Sequence, residues 1–367
     1  MKVSQEEIRE AVMQVPEDLK KAIETAALNI EKFHESQITS PKVVETAKGV
    51  KCWQKAVPIE KVGLYIPGGT APLFSSVLML GIPARIAGCN RIVLTTPPGK
   101  DGKINPVILY TAYMAGISEI YKLGGVQAIG ALAYGTETVP AVYKIFGPGN
   151  QYVTTAKQLV NRDGIAIDMP AGPSEVAIMA DGSAQPEFLA SDLLSQAEHG
   201  NDSQVIMVTT HESLIEKVEK ALQDQLDDLP RKDFADQALN HSKIILLQDK
   251  KEMIDFINTY APEHLIISTS DYQELQEQVV NAGSVFLGNF TPESAGDYAS
   301  GTNHTLPTNG FARVFNGVNL DSFVKKITFQ EITREGLQKL GPVIEKMAEA
   351  EELIAHKNAV SVRLKKQ

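Results

Sequence analysis

The sequence predicts an α/β protein with two parallel sheets between helical ends. At 367 residues the chain is long enough to bury two hydrophobic cores. From Val62 to Leu287, short apolar runs alternate with helical patterns, and strands separated by helices of crossover length form parallel sheets. The runs fall into two series on either side of residues 170–174, where prolines and a glycine interrupt regular structure. We therefore expect two sheets with a hinge at this segment.

The chain begins with two predicted helices. Ser4 and Glu7 have the spacing of a capping box, which indicates a helix start. An amphipathic pattern then runs from Glu17 to Glu35. Beyond Asp321 the pattern is helical and charged through Lys357, so we expect an appended arm or oligomerisation element without strands.

The predicted strands follow in two series of five. The first series comprises residues 62–66, 91–95, 119–123, 142–146 and 165–168, and the second comprises residues 175–180, 204–209, 243–247, 264–268 and 283–287. Within each series, the connection between consecutive strands is long enough to hold a helix that packs against the sheet.

Composition excludes several classes of protein. A net charge of −10 without a long basic run argues against a nucleic-acid partner. Two isolated cysteines, Cys52 and Cys89, cannot form a disulfide framework or a Cys-type zinc site. We find neither an apolar stretch of signal-peptide length nor a run of about 18 apolar residues, so we expect a cytoplasmic protein with no membrane partner.

Three polar constellations suggest a metal held by nitrogen and oxygen ligands beside an acid/base pair. Gln196 and His199, near the end of a helical stretch from Pro186 to Gly200, are three residues apart and so share a helix face. The alternative is a solvated helix end, because Gln is not among the usual zinc ligands. Asp297, in a polar loop predicted over residues 292–304, would supply an anionic oxygen, although such a loop can also satisfy its own backbone.

Glu263 and His264 form the candidate acid/base pair. Both follow Pro262 and lead into an apolar strand, which is where loops present catalytic groups. Neighbouring side chains on a regular strand point to opposite faces, so both can serve one site only if the backbone is irregular here. The alternative is a surface Glu beside a half-buried His. His356, by composition, belongs to a solvated helix face.

Glycine-rich turns after predicted strands are candidates for binding a phosphate. Residues 147–150 (GPGN) open a helical stretch, and residues 68–72 and 124–127 repeat the arrangement of strand, glycine turn and helix. Free N–H groups and the helix dipole favour an anion there. The Gly-x-Gly-x-x-Gly fingerprint is missing, and ordinary turn chemistry is the alternative for each turn taken alone.

Six strings, in order, resemble the histidinol dehydrogenase family over nearly the whole chain. They are residues 62–69 (VGLYIPGG), 146–150 (FGPGN), 168–175 (DMPAGPSE), 192–200 (DLLSQAEHG), 296–304 (GDYASGTNH) and 355–359 (AHKNA). The resemblance implies a four-electron oxidation of L-histidinol to L-histidine through a bound aldehyde, with one zinc ion per subunit and NAD. It also implies a homodimer and a role in histidine biosynthesis.

By position, the resemblance also implies roles for individual residues. The implied zinc ligands are Gln196, His199, Asp297 and His356, the last from the second subunit. The implied general base is His264, and Glu263 activates water. The implied NAD contacts are Tyr65, Gln127 and Asn150, and the implied substrate contacts are Ser174, His304 and Glu351 together with the zinc ligands and His264.

The fold implied is two incomplete doubly wound (Rossmann-like) parallel-sheet domains with N- and C-terminal helical segments. We expect residues 1–61 and 171–320 to form one discontinuous α/β domain with the zinc and catalytic motifs, residues 62–170 a second with the NAD contacts, and residues 321–367 a helical dimerisation arm. Family members usually carry a further N-terminal segment, so we also expect a shortened chain. Two alternatives remain open: a zinc hydrolase using Glu263, and an inactive shortened homologue that binds metal or a histidine-like ligand.

Overall fold

The computed structural model describes residues 1–68, 72–170 and 172–365. Fourteen α-helices lie in these residues: α1 (Gln5–Gln14), α2 (Glu17–Glu35), α3 (Ser75–Ala87), α4 (Pro106–Met114), α5 (Gly125–Tyr134), α6 (Gln151–Arg162), α7 (Pro186–Ala197), α8 (Glu212–Leu226), α9 (Lys232–Leu239), α10 (Lys250–Tyr260), α11 (Tyr272–Leu275), α12 (Glu293–Tyr298), α13 (Arg334–Ala350) and α14 (Ile354–Lys365).

Thirteen strands in the same residues form three sheets. They are β1 (Val44–Ala47), β2 (Val50–Pro58), β3 (Lys61–Tyr65), β4 (Arg91–Thr96), β5 (Glu119–Lys122), β6 (Lys144–Phe146), β7 (Ala166–Ile167), β8 (Glu175–Ala180), β9 (Gln204–Thr209), β10 (Lys243–Leu246), β11 (His264–Ser268), β12 (Ser284–Leu287) and β13 (Val324–Ile332).

Two of the sheets are parallel, have five strands and share one strand order. The first sheet is ordered β5-β4-β3-β6-β7 and the second β10-β9-β8-β11-β12, with parallel pairing throughout. In each, the first strand in sequence is central, and the order reverses between the first and fourth strands. This reversal defines a doubly wound sheet. The predicted fold class is confirmed.

The strand sequences explain why these sheets are internal. All six residues of β8 are buried, as expected for a parallel strand covered by helices on both faces. The cores on the two faces of the second sheet include Val176 and Leu193 on one side and Ala177 and Ile257 on the other. Two observed strands, β6 and β7, are shorter than the strands predicted at residues 142–146 and 165–168.

Both predicted N-terminal helices are confirmed. Ser4 caps α1, with Glu7 completing the reciprocal capping box, and α2 has the predicted limits. The N–H of Val3 donates to the carbonyl oxygen of Ile120 at 2.9 Å, which attaches the start of the chain to the first sheet.

The described residues divide into two compact units. The first unit comprises residues 1–37 and 59–323 and contains both parallel sheets. The predicted hinge at residues 170–174 lies between these sheets in sequence, and its Ala171 is outside the described residues.

The second unit comprises residues 38–58 and 324–367, and here one prediction is wrong. The segment after Asp321 contains a nine-residue strand, β13, which pairs antiparallel with β2, and Trp53 stacks on Phe329 across this pair at 5.6 Å between ring centroids. The strand depends on a partner far away in sequence, so local periodicity did not reveal it. None of the described helices is long and apolar enough to cross a membrane.

Candidate active site

A cavity of 570 Å³ lies between the two parallel sheets within the first unit. On one side it is lined by the turn at residues 147–150, which follows β6, and on the other by Ser174, His199 and Glu263. The first sheet therefore contributes the carboxyl ends of its strands, whereas the second contributes the amino ends of β8 and β11.

His264 is the first residue of β11 and is 3% exposed. Its Nδ1 lies 3.1 Å from the carbonyl oxygen of Glu175. Because a carbonyl only accepts, Nδ1 carries the proton and the lone pair of the neutral ring is on Nε2. Nε2 lies 3.4 Å from Oδ1 of Asp297, and neither atom forms a hydrogen bond of good geometry in the described chain. In the neutral form of the ring, this lone pair suits a general base.

Glu263 directly precedes β11, and its side chain does not follow the alternation of side chains between the two faces of that strand. Ala261 has a left-handed backbone with φ of 57°, and Pro262 follows it before β11 begins. Oε2 of Glu263 accepts the N–H of Glu175 at 2.9 Å and lies 3.6 Å from Nδ1 of His264. The irregular backbone that sequence reasoning required is present, and it brings the two side chains together.

Buried carboxylates dominate the electrostatics of this cluster. Burial raises the pKa of Glu263 to about 7, although His264 opposes the rise. Burial lowers the pKa of His264, but the negative charges of Glu263 and Asp297 outweigh it and raise this pKa to about 10, so the ring stays protonated until a bound cation offsets those charges. Burial also raises the pKa of Glu293 to about 8. This excess of acidic groups in a low-dielectric site favours a bound cation.

Asp297 lies on a short helix rather than in the extended loop that was predicted. Residues 293–298 form α12, so the expectation of a loop over residues 292–304 is wrong for its first half. Ligand atoms of His199, Glu293 and Asp297 lie within 4.8 Å of one another, and the buried Oδ1 of Asp297 lacks a hydrogen bond among the described residues. A small divalent cation with nitrogen and oxygen ligands fits this cluster.

Gln196 is buried in the last turn of α7, which ends at Ala197, before the predicted Gly200. Its neighbours fix the amide orientation: Nε2 donates to Oε1 of Glu293 at 2.5 Å, and Oε1 accepts the N–H of Glu175 at 3.2 Å. A carbonyl oxygen has two lone pairs, so the Gln196 oxygen can still accept a cation.

His304 and Ser174 line the same cavity. Nδ1 of His304 donates to the carbonyl oxygen of Asp297 at 2.9 Å, and Oγ of Ser76 lies 3.1 Å from Nε2. Burial lowers the pKa of His304, so the ring is neutral and Ser76 donates to it. Both predicted substrate contacts therefore line the same cavity, and His304 also contacts the backbone of Asp297.

Glycine turns place the predicted cofactor contacts at the carboxyl edge of the first sheet. Asn150 caps α6, its Oδ1 accepting the N–H groups of Tyr152 and Val153. The hydroxyl of Tyr65, at the end of β3, accepts the N–H of Gly125 at 3.3 Å.

Gln127 is exposed in the first turn of α5. The third predicted turn, residues 68–72, includes Gly69, Thr70 and Ala71, which are outside the described residues.

The remaining predicted site residues belong to the second unit. Glu351 follows α13, and His356 lies in α14; both are exposed.

Sequence reasoning missed three carboxyl groups in the first unit, of which Glu175 and Glu293 are buried and Asp192 is half-buried. Glu293 is 1% exposed and contacts Gln196. Burial raises the pKa of Asp192 to about 7 and raises that of Glu175. The available signal was spacing, because Asp192 precedes Gln196, and Glu293 precedes Asp297, by the four residues that place side chains on one helix face.

Comparison with known proteins gives consistent matches over the whole chain. The family model described as histidinol dehydrogenase matches residues 1–364. Histidinol dehydrogenase from Bacteroides fragilis (strain YCH46) is 64% identical over 362 residues, covering 99% of this chain and 85% of the relative. The same enzyme from Escherichia coli (strain K12) is 52% identical over 366 residues, covering 99% and 83%.

Solved structures match the chain as well, and one of them is from the same family as the sequence matches. A crystal structure of histidinol dehydrogenase from Elizabethkingia anophelis matches with a TM-score of 0.98 and 60% identity, covering 100% of this chain and 84% of that chain. An acetylating aldehyde dehydrogenase from Geobacillus thermoglucosidasius matches with a TM-score of 0.56 at 14% identity, covering 89% and 92%. The second match concerns the fold alone.

Proposed function

Because the chain belongs to the histidinol dehydrogenase family and is thus an oxidoreductase, we propose that it oxidises L-histidinol to L-histidine. The reaction removes four electrons in two steps, through an aldehyde that stays bound, and uses zinc and NAD. We place it in histidine biosynthesis in the cytoplasm.

One observation supports this proposal above the others. His264, whose neutral ring would have its Nε2 lone pair free, lies beside the cluster of candidate cation ligands and close to a cavity whose opposite wall is a glycine turn. An alcohol oxidation needs these three parts together: a base for the hydroxyl proton, a group that orients the substrate, and a place for the hydride acceptor.

The side chains divide the proton chemistry between them. His264 takes the alcohol proton on Nε2, and the carbonyl of Glu175 keeps the ring in the required tautomer. Glu263 takes a proton from the water that adds to the aldehyde carbon, a role that suits a carboxyl group whose pKa burial raises to about 7. His304 and Ser174 bind the substrate in the cavity, and Glu351 is a further proposed substrate contact.

The proposed zinc ligands are Gln196, His199 and Asp297 with the partner subunit's His356. Zinc, when bound, supplies positive charge that orients the substrate and offsets the buried carboxylates. Glu293 holds the Gln196 amide in place.

Tyr65, Gln127 and Asn150 are the proposed contacts of NAD. The cofactor, when bound, accepts one hydride in each oxidation step. The positive end of the α6 dipole would favour the negative charge of its diphosphate.

A turnover assay tests the proposal. The zinc-loaded protein is mixed with L-histidinol and excess NAD, and NADH absorbance is compared with the histidine formed. We expect two NADH for each histidine. Absence of NADH from a zinc-loaded dimer, checked by light scattering, would rule out the dehydrogenase. Hydrolysis of a histidine ester or amide would then favour the zinc hydrolase, and metal binding without turnover the inactive homologue.

A further inference from the structure

A buried ion pair holds the glycine turn on the cavity wall. Lys157 of α6 and Asp168, which follows β7, form this pair, and their side chains are 5% and 2% exposed. The ammonium of Lys157 also donates to the carbonyl oxygen of Gly147 at 2.8 Å. Oδ2 of Asp168 accepts the N–H of the same glycine at 2.8 Å. Both backbone groups of Gly147 are therefore bound by the two members of one ion pair.

Gly147 has a backbone that needs such support. Its φ of +124° is rarely adopted by residues with a side chain, and a Cβ there would overlap the carbonyl oxygen of Tyr65. The glycine is thus packed directly against the end of β3. Three residues further on, Asn150 caps α6. The ion pair consequently fixes the distance between two of the proposed cofactor contacts, Tyr65 and Asn150.

The pair also fixes the segment that leads into the second sheet. Oδ1 of Asp168 accepts the N–H of Met169 at 2.8 Å, and residues 172–174 of that segment line the cavity. A buried ion pair is expensive to desolvate, and neutral residues often replace one without loss of stability. Its presence here is better explained by the geometry that it imposes on the turn.

We propose that Lys157 and Asp168 are positioning residues for the dinucleotide: they hold the turn at residues 147–150 in the shape that binds NAD. This inference rests on the proposed function. Both residues line the cavity, but the positioning role does not depend on contact with the cofactor, because each side chain already bonds to Gly147 and to the other.

The test replaces both charges together, so that no unpaired buried charge remains. In the zinc-loaded full chain, the double variant Lys157→Met, Asp168→Asn should raise the KM for NAD at least tenfold. It should change the KM for histidinol and the kcat at saturating NAD less than threefold. Calorimetric titration with NADH should show the same weakening of affinity.

A matched control exists at the other edge of the same sheet. Arg91 and Glu119, the first residues of β4 and β5, form a two-bond ion pair at 2.8 Å. The double variant Arg91→Met, Glu119→Gln should leave the KM for NAD unchanged. If Lys157→Met, Asp168→Asn does not fold, the double variant Lys157→Gln, Asp168→Asn takes its place, since it also leaves no buried charge and keeps polar groups for both backbone groups of Gly147.

The outcomes separate the two proposals. A wild-type protein that gives no heat with NADH and no NADH from histidinol would overturn the proposed function itself. A wild type that binds NADH, with a folded variant that binds it equally tightly, would overturn only the positioning role. A variant that loses thermal stability while keeping its KM for NAD would also overturn it, because the pair would then be purely structural.

Discussion

The two parallel sheets share one strand order but differ in which edge carries the candidate functional side chains. In the first sheet, the glycine turns and the cap of α6 follow the carboxyl ends of the strands. In the second sheet, His264 and Glu175 are the first residues of their strands, so the candidate site is at the amino edge. Ligands of open α/β sheets usually bind at the carboxyl edge, and here only the first sheet follows that rule.

At the two sheet edges that face away from the cavity, charged side chains form hydrogen bonds and ion pairs within the protein. At the carboxyl edge of the second sheet, Asp181 accepts hydrogen bonds from the backbone and hydroxyl groups of Ser183 and Ser270 at 2.6–3.0 Å. At the amino edge of the first sheet, Arg91 pairs with Glu119. A shared topology therefore does not fix the position of a site; the side chains placed at each edge do.

The largest expected effect is at the amino edge of the second sheet. His264→Asn should lower kcat by about 1,000-fold, because it removes the base, while zinc content stays the same. Absorbance of NADH and metal analysis measure the two quantities. His211→Asn is the control, since His211 is exposed and follows the carboxyl end of β9. Equal loss in both variants would contradict the assignment of function to one edge.

The second-largest effect is expected for Asp297→Ala. Loss of an anionic ligand should weaken zinc binding by about 100-fold or more, measured by competition with a chelator. Asp181→Asn, at the opposite edge of the sheet, should retain the wild-type zinc affinity. Zinc affinity that is unchanged in Asp297→Ala would mean that the cation lies elsewhere.

Gly147→Ala tests the carboxyl edge of the first sheet. A Cβ in contact with the Tyr65 carbonyl, on a left-handed backbone, should cost about 2–4 kcal/mol of unfolding free energy and raise the KM for NAD. Gly164→Ala has a φ of +94° but open space around it, so it should cost only the backbone strain, about 1–2 kcal/mol. Urea denaturation compares the two, and similar losses would argue against the close packing.

The smallest effect concerns Asp181 and depends on pH. Burial raises its pKa, but hydrogen bonds from Ser183 and Ser270 outweigh this and lower it from 3.8 to about 2. A lowered folded-state pKa stabilises the protein above the unfolded value, and the gain is lost as pH falls from about 4 to about 2. Asp181→Asn should therefore cost about 1–2 kcal/mol at pH 7 and almost nothing near pH 2. A difference that persists in acid would exclude this origin.

Local sequence patterns were sufficient for the two parallel sheets, because buried strands such as β8 are continuous apolar runs. They were insufficient for β13, whose apolar residues Val324, Ile327 and Phe329 are spaced irregularly and whose partner β2 is distant along the chain. Strand pairing of this kind is set by tertiary contacts, which local periodicity does not contain.

The candidate site was predictable in part. Asp297 and His264 were found because short motifs carry them, and their proximity is a result of folding. Glu293 was missed, since a polar string looks like a loop until burial makes it a helix. The pairing of Glu263 with His264 required an irregular backbone, which the sequence could suggest through Pro262 but could not establish.

The helical form of residues 293–298 limits how this region can vary. Glu293 and Asp297 both project toward Gln196 and His199 because they are one helical turn apart, and each added residue rotates a helix by about 100°. Inserting or deleting a single residue between them would turn one carboxylate away from the cluster. Related sequences should therefore accept substitutions at the exposed position 294 far more readily than changes in length, whereas a side chain at Gly296 would overlap the ring of Phe286.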